Sequence, residues 1–365
     1  MVSKRNGEID ILRFVFSVII VIHHFCSTFN YSFFESGYIG VEFFFLVSGY
    51  LMARTTNNIS SQKDSLSFSQ IADSSWSFIV KKIKSFYSYY ICAIVIQILI
   101  RNIIVNHEGP ISLIGHFLKS IPTFTLTFMG LNNNSEIGFH LGGSWYLSAM
   151  IIAMLILFPL LLKNFNFSTK LVFPLLSIFI LGYLYTTDYS IANWQGWSGI
   201  CFNGVLRALG ELALGASIFV LSNLMKNKYH NIFNEHKTIK LGLTIVKYMC
   251  FIVVISFAFG ILSNFTSDLH ALLFCAIGIF LSFSGITYTI PESKLSNYLG
   301  KLSLPIYIFH GFMRHTAGDM MTPEAVTPLR LVLMIVFSII LCVVLMYITD
   351  AVKKLLNILK ARIFS

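Results

Sequence analysis

Charge is what this 365-residue chain most lacks: Asp, Glu, Lys and Arg together make up 12% of it, about half the roughly 25% of a soluble domain. So little charge cannot coat a water-facing surface, which excludes an ordinary soluble globular protein. Alternation of polar and apolar residues over about ten positions, the mark of a transmembrane barrel strand, is also missing. The six cysteines (26, 92, 201, 250, 275 and 342) stand singly in apolar segments. They offer no CxxC or Cys/His spacing for a metal and read as small buried side chains. The first apolar stretch has no small-residue cleavage site behind it and contains Arg13 and two histidines, so a removable signal peptide is not expected. No internal repeat, low-complexity tract or soluble domain is visible.

What remains is 56% hydrophobic, with 35 Phe and 16 Tyr, an aromatic excess suited to lipid and its interfaces. The mean hydropathy is +0.75. A bilayer offers no partner to backbone N–H and C=O groups, so apolar runs of about twenty residues cross it as helices. The expected fold is therefore an all-α polytopic membrane protein with ten spans, near 9–28, 38–54, 83–105, 144–163, 170–187, 202–224, 241–263, 268–290, 302–320 and 328–350. The 106–143 connection holds a further apolar piece, ISLIGHFLKSIPTFTLTF, read as an interfacial or re-entrant segment, or else a short span.

The basic residues test that count. With the N-terminus cytoplasmic, the outer loops hold only Arg101, Lys119 and Arg330, and Arg13, Arg207, Lys247 and Arg314 fall in or at the ends of spans. That leaves nineteen of the 26 Lys and Arg residues on the inner side, as the positive-inside rule requires for an even number of spans with both ends cytoplasmic. The same distribution explains the net charge of +10 without nucleic acid as a partner.

Ionisable groups inside such spans are costly, about 2.5–3.5 kcal/mol for Arg or Asp at mid-membrane, and mark function. The first helix carries Asp10, Arg13, His23 and His24. Arg13 and His24 are eleven residues apart, which at about 100° per residue leaves them within about 20° of one face, about 16 Å apart along the axis. Asp10 joins that face, whereas His23 points about 80° from Arg13 and reads as a packing or hydrogen-bonding neighbour. Glu42 lies near the outer end of the second helix. Arg207 and Glu211 lie in the sixth at an i,i+4 spacing that permits an ion pair. Tyr307, His310 and Arg314 line one face of the ninth. Polar groups thus run from the inner edge of the first helix into the outer half of helices 1, 2, 6 and 9, as a passage entered from the cytoplasm would. A buried Arg207–Glu211 pair and an interhelical His310 hydrogen bond are equally open readings, and a further one has Asp10 neutralise Arg13 or cap its helix.

Five stretches in order carry a resemblance: EIDILRF followed by HH, GYIGVEFFFLVSGYLMA (37–53), GSWYLSAMIIAMLI (143–156), RALGELALG (207–215) and LGKLSLPIYIFH (299–310). Together they resemble the acyltransferase family 3 membrane proteins, over nearly the whole chain, as a single transmembrane domain. One departure is KKIKSFYSYY (81–90), with lysines where the family carries arginines; Lys81, Lys82 and Lys84 keep the charge without the bidentate fork.

The resemblance implies an enzyme that moves an acyl group, commonly acetyl, from cytoplasmic acyl-CoA to a sugar hydroxyl. The acceptor would be a cell-surface polysaccharide such as O-antigen or capsule, or its lipid-linked precursor, and the setting a bacterial cytoplasmic membrane. No bound cofactor or metal is expected. On that reading His24, Arg13 and Asp10 form the catalytic group, with Glu42, Arg207, Glu211, Tyr307 and His310 as further catalytic or substrate-binding residues. Lys81, Lys82 and Lys84 would meet the CoA phosphates, and Trp194 and Trp197 of NWQGWSG (193–199) would stack acceptor sugars or lie in an interfacial belt. His24 would serve as general base or as the site of a covalent acyl-histidine. The rival classes are a flippase for a lipid-linked sugar and a non-catalytic scaffold; neither requires a single critical histidine.

Overall fold

The computed structural model describes residues 5–61, 66–100, 144–262 and 267–363, with isolated positions between 103 and 118. Ten long helices stand among the described residues: α1 Gly7–Thr28, α2 Gly40–Ser60, α3 Phe68–Leu99, α4 Ser144–Lys163, α5 Phe173–Asp188, α6 Asn203–Glu235, α7 Lys237–Ala258, α8 Asp268–Phe283, α9 Lys294–Met320 and α10 Pro328–Ile363. Each overlaps one of the ten apolar runs. Six segments, drawn from α1, α4, α5, α6, α7 and α10, are long and apolar enough to cross a membrane. The chain is an all-α integral membrane protein. Most of the 106–143 connection lies outside the described residues.

Several helices begin where side chains take up the orphan N–H groups of the first turn. The Asn6 carboxamide accepts from Glu8 N and Ile9 N at the head of α1 (3.1 and 3.3 Å). Glu8 and Asp10 in that first turn complement the helix dipole. Capping boxes open α3 at Ser67 and α9 at Ser293, so both helices start well before their apolar runs. Two runs end early because glycine intervenes. Gly260 (φ 83°) closes α7 and Gly285 (φ 72°) follows α8, a backbone region that only glycine enters without strain. The expected 241–263 therefore ends at Ala258, and the expected 268–290 at Phe283.

The helices pair as α1 with α9, α2 with α6, and α7 with α8, while α4 and α5 lie on α6 and α10 lies on α9. Small residues make two of these contacts possible. A Cβ at Gly49 would strike the backbone of Leu212, and one at Gly215 the carbonyl of Leu46, so α2 and α6 touch backbone to backbone. Gly300 of α9 lies against the Asp10 carboxylate of α1. Between α5 and α6 the chain makes a two-stranded hairpin, β1 Trp197–Ser198 and β2 Cys201–Phe202.

Candidate active site

Close packing of α1 on α9 brings the first helix's polar face against the ninth. The imidazoles of His24 and His310 stack with centroids 5.2 Å apart and planes 17° from parallel. His310 is completely buried; its Nδ1 lies 3.3 Å from the Ile306 carbonyl one turn earlier, and its Nε2 has no hydrogen-bond partner among the described residues. Arg314, one turn further along α9, brings Nη1 to 3.4 Å from His24 Nδ1 and Nη2 to 3.3 Å from His315 Nε2. His23 lies beside His24, with ring centroids 5.0 Å apart and planes 53° from parallel, and its Nδ1 is 2.8 Å from the Phe34 carbonyl.

Toward the N-terminal end of α1 the same face opens into a cavity of about 340 Å³ lined by Arg13, Ser48, Lys82, Ser85, Tyr146, Ser303 and Tyr307, with apolar walls that include Phe44, Phe86 and Met150. Lys82 is the lysine of the 81–84 cluster that lines it; Lys81 and Lys84 are exposed elsewhere on α3. Arg13 lies 3.5 Å from Asp10 Oδ1. Arg5 holds that carboxylate more closely, with Nη2 and Nε at 2.9 and 3.0 Å from its two oxygens. Asp10 therefore ties the N-terminal segment to α1 as well as balancing Arg13. Tyr307 joins the cavity to the histidines: its ring is 5.4 Å from Tyr146 on one side and 5.7 Å from His310 on the other.

A second polar cluster forms where α2 meets α6. Arg207 donates from Nη2 to Glu42 Oε1, from Nε to Glu211 Oε1 at 3.0 Å, and from Nη1 to the Ala192 carbonyl at 3.2 Å. All three side chains are fully buried. The guanidinium also lies 5.4 Å from the Trp145 ring, whose indole stacks on Trp194 at 4.9 Å. Thus the expected Arg207–Glu211 pair is a triad, because the backbone contact at Gly49 and Gly215 lets α2 deliver Glu42. The loop that carries Ala192 is held by Asp268, whose carboxylate accepts from Ile191 N at 2.8 Å and from Ala192 N at 3.2 Å. One face of Trp194 is taken by Trp145, while Trp197 is exposed beside Phe202 at 5.6 Å.

Tertiary packing adds pairs that spacing along the chain does not display. Lys247 of α7 is buried against Glu8 of α1 at 2.7 Å and the Tyr288 carbonyl at 2.6 Å. Asp350 of α10 accepts from Tyr89 of α3 at 2.7 Å and from Lys301 of α9 at 2.9 Å. The one signal for Lys247 was its place inside an apolar run; its partner lies 239 residues away. Among the described residues no group of His, Cys, Asp and Glu forms a metal site.

Chemically, the α1–α9 face offers cations at a cavity, then a tyrosine, then two imidazoles, which is equipment for holding an anionic ligand at one end and moving a proton or an acyl group at the other. Comparison with curated proteins and with solved structures gives no match. A family model, that of an acyltransferase domain, matches residues 6–347. Since that match takes in every element of the site, from Asp10 at one end of α1 to Arg314 on α9, the chain belongs to acyltransferase family 3 and is a membrane acyltransferase.

Proposed function

We propose that the protein is a membrane O-acyltransferase that transfers an acyl group, acetyl in the first instance, from cytoplasmic acyl-CoA to a sugar hydroxyl of a cell-surface polysaccharide or its lipid-linked precursor. On this reading the chain crosses a bacterial cytoplasmic membrane ten times with both ends inside. The observation that carries the proposal is the run of functional groups along α1 and α9. Arg13 and Lys82 share one cavity, Tyr307 forms part of its wall, and His310 and His24 follow in ring contact. The positive-inside distribution supports an orientation with the Arg13 end at the cytoplasm and the His24 end in the outer half.

The cavity is at the low end of the volumes typical of ligand pockets, about 300–1,000 Å³. It suits an acylated arm with phosphates at its mouth, the nucleotide remaining in the cytoplasm. Arg13 and Lys82 meet the phosphates as charge-assisted donors. Tyr146, Ser48 and Ser303 supply hydroxyls along the arm. The thioester then reaches the imidazole pair, where a ring nitrogen serves as base toward an acceptor that arrives from outside. Trp197, with its exposed ring, is better placed than Trp194 to stack a sugar.

The test is mass spectrometry of the host's surface polysaccharide with and without the gene. Acyl esters should be present only with it. His24→Ala and Arg13→Ala should each abolish them while the protein still inserts at normal levels. Esters retained in either variant would sink the assignment.

A further inference from the structure

The imidazole pair carries more information than ring contact alone, because each ring has one nitrogen whose role its neighbour decides. Arginine has only donors, so Arg314 Nη1 beside His24 Nδ1 makes that nitrogen the acceptor. The His24 proton then resides on Nε2. A backbone carbonyl has only lone pairs, so the Ile306 oxygen beside His310 Nδ1 makes that nitrogen the donor. The His310 lone pair then resides on Nε2, the atom that is buried without a partner among the described residues. An unpaired polar atom in a site with no exposure is costly, about 1–3 kcal/mol, and such atoms call for a functional explanation. The stacked rings therefore present opposite chemistry at their Nε2 atoms, a donor on His24 and an acceptor on His310.

We propose that the two histidines divide the transfer between them: His310 is the proton acceptor, His24 is the N–H donor to the thioester oxygen, and Arg314 is the positioning residue that holds His24 in the donor tautomer. This rests on the acyltransferase reading above and sharpens it. In the step, the acceptor hydroxyl gives its proton to His310 Nε2 while its oxygen bonds the thioester carbonyl carbon. The carbonyl oxygen, now an oxyanion, accepts the His24 Nε2–H. On collapse the C–S bond breaks, and sulfur leaves as the thiol with the proton returned from His310. Atoms and charge balance without any covalent acyl-enzyme.

Glutamine separates the two roles. Its amide carries N–H near the position of Nε2 but has no nitrogen lone pair for a proton. Full-length variants in vesicles of host membrane lipid, bearing the host glycan, are given radiolabelled acetyl-CoA, and label entering the glycan is measured. Loss of an oxyanion donor costs on the order of 10²–10³ in rate and loss of a general base on the order of 10²–10⁴. His24→Gln should stay within about tenfold of wild type while His24→Ala falls by the larger factor. His310→Gln should be as inactive as His310→Ala. Arg314→Met should cost about tenfold in the wild-type background and nothing more when combined with His24→Gln, a coupling that a purely structural role would not produce.

A measurement on the unaltered protein guards against misfolded variants. ¹⁵N-histidine spectra should show His24 protonated at Nε2 and His310 protonated at Nδ1. The proposal is overturned if His24→Gln is as inactive as His24→Ala, if His310→Gln retains activity, or if either tautomer is the reverse. A wild-type protein that transfers no label overturns the acyltransferase reading itself, which is a different result from any variant pattern.

Discussion

At the scale of single residues, the buried charges divide into those that meet a cavity and those that meet each other. Arg207 belongs to the second kind. With Glu42 and Glu211 both fully buried beside it, Arg207→Met would leave two carboxylates in the interior with no cation, which costs about 3–5 kcal/mol. The thermal melt of the detergent-solubilised variant should fall well below wild type, and Arg207→Lys should recover part of the loss because a single ammonium cannot reproduce the fork. Lys82 belongs to the first kind. If it meets CoA phosphate, Lys82→Ala should raise the KM for acyl-CoA about tenfold, the equivalent of ~1.4 kcal/mol, with kcat little changed. Lys81→Ala and Lys84→Ala, whose side chains lie away from the cavity, should leave KM where it is. Spacing alone made these three lysines equivalent. Which of them faces Arg13 depends on the rotation of α3 against its neighbours, and that is set by packing.

Among elements, the helix pairs α1–α9 and α2–α6 each position one polar cluster, and each depends on glycine at the crossing. Gly49→Ala should force α2 from α6, since the new methyl would meet the Leu212 backbone, which cannot yield as a side chain could. Overpacking of this sort costs about 1–3 kcal/mol. Gly182→Ala is the control: nothing lies near that position on α5, and replacing a helical glycine there should be neutral or stabilising by about 0.5–1 kcal/mol. Thermal melts of the two variants should therefore move in opposite directions, and a Gly49→Ala protein as stable as wild type would contradict the close approach. Within GYIGVEFFFLVSGYLMA, the Ser-Gly-Tyr stretch makes this helix contact at Gly49. Ser48 next to it lines the cavity, so one motif serves packing on one face and the site on the other. Pro305 stands inside α9 two residues before Tyr307. It removes one helical N–H in the very turn that separates cavity from histidines.

For the whole molecule, the proposed topology makes a direct prediction. In intact spheroplasts, a single cysteine at Ser198, in the hairpin before α6, should react with an impermeant maleimide, and one at Asn227, near the far end of α6, should react only after the membrane is opened. The reverse pattern would invert the donor and acceptor sides assigned to the cavity and the histidines. The ten long helices among the described residues, and the residues that carry charge within them, were legible in the sequence, because both are local properties: an apolar run long enough to span must be helical, and an ionisable residue within it stands out against its neighbours. The face shared by Asp10, Arg13 and His24 was legible for the same reason, as helical periodicity is local too. What the chain alone did not disclose was partnership. Glu42 meets Arg207 across 165 residues and Arg314 meets His24 across 290, and nothing in either neighbourhood names the other. Those contacts exist because small residues let particular helices approach at particular rotations. Tertiary packing therefore decided which arginine lies against the histidine of the first helix, and which histidine it is stacked upon.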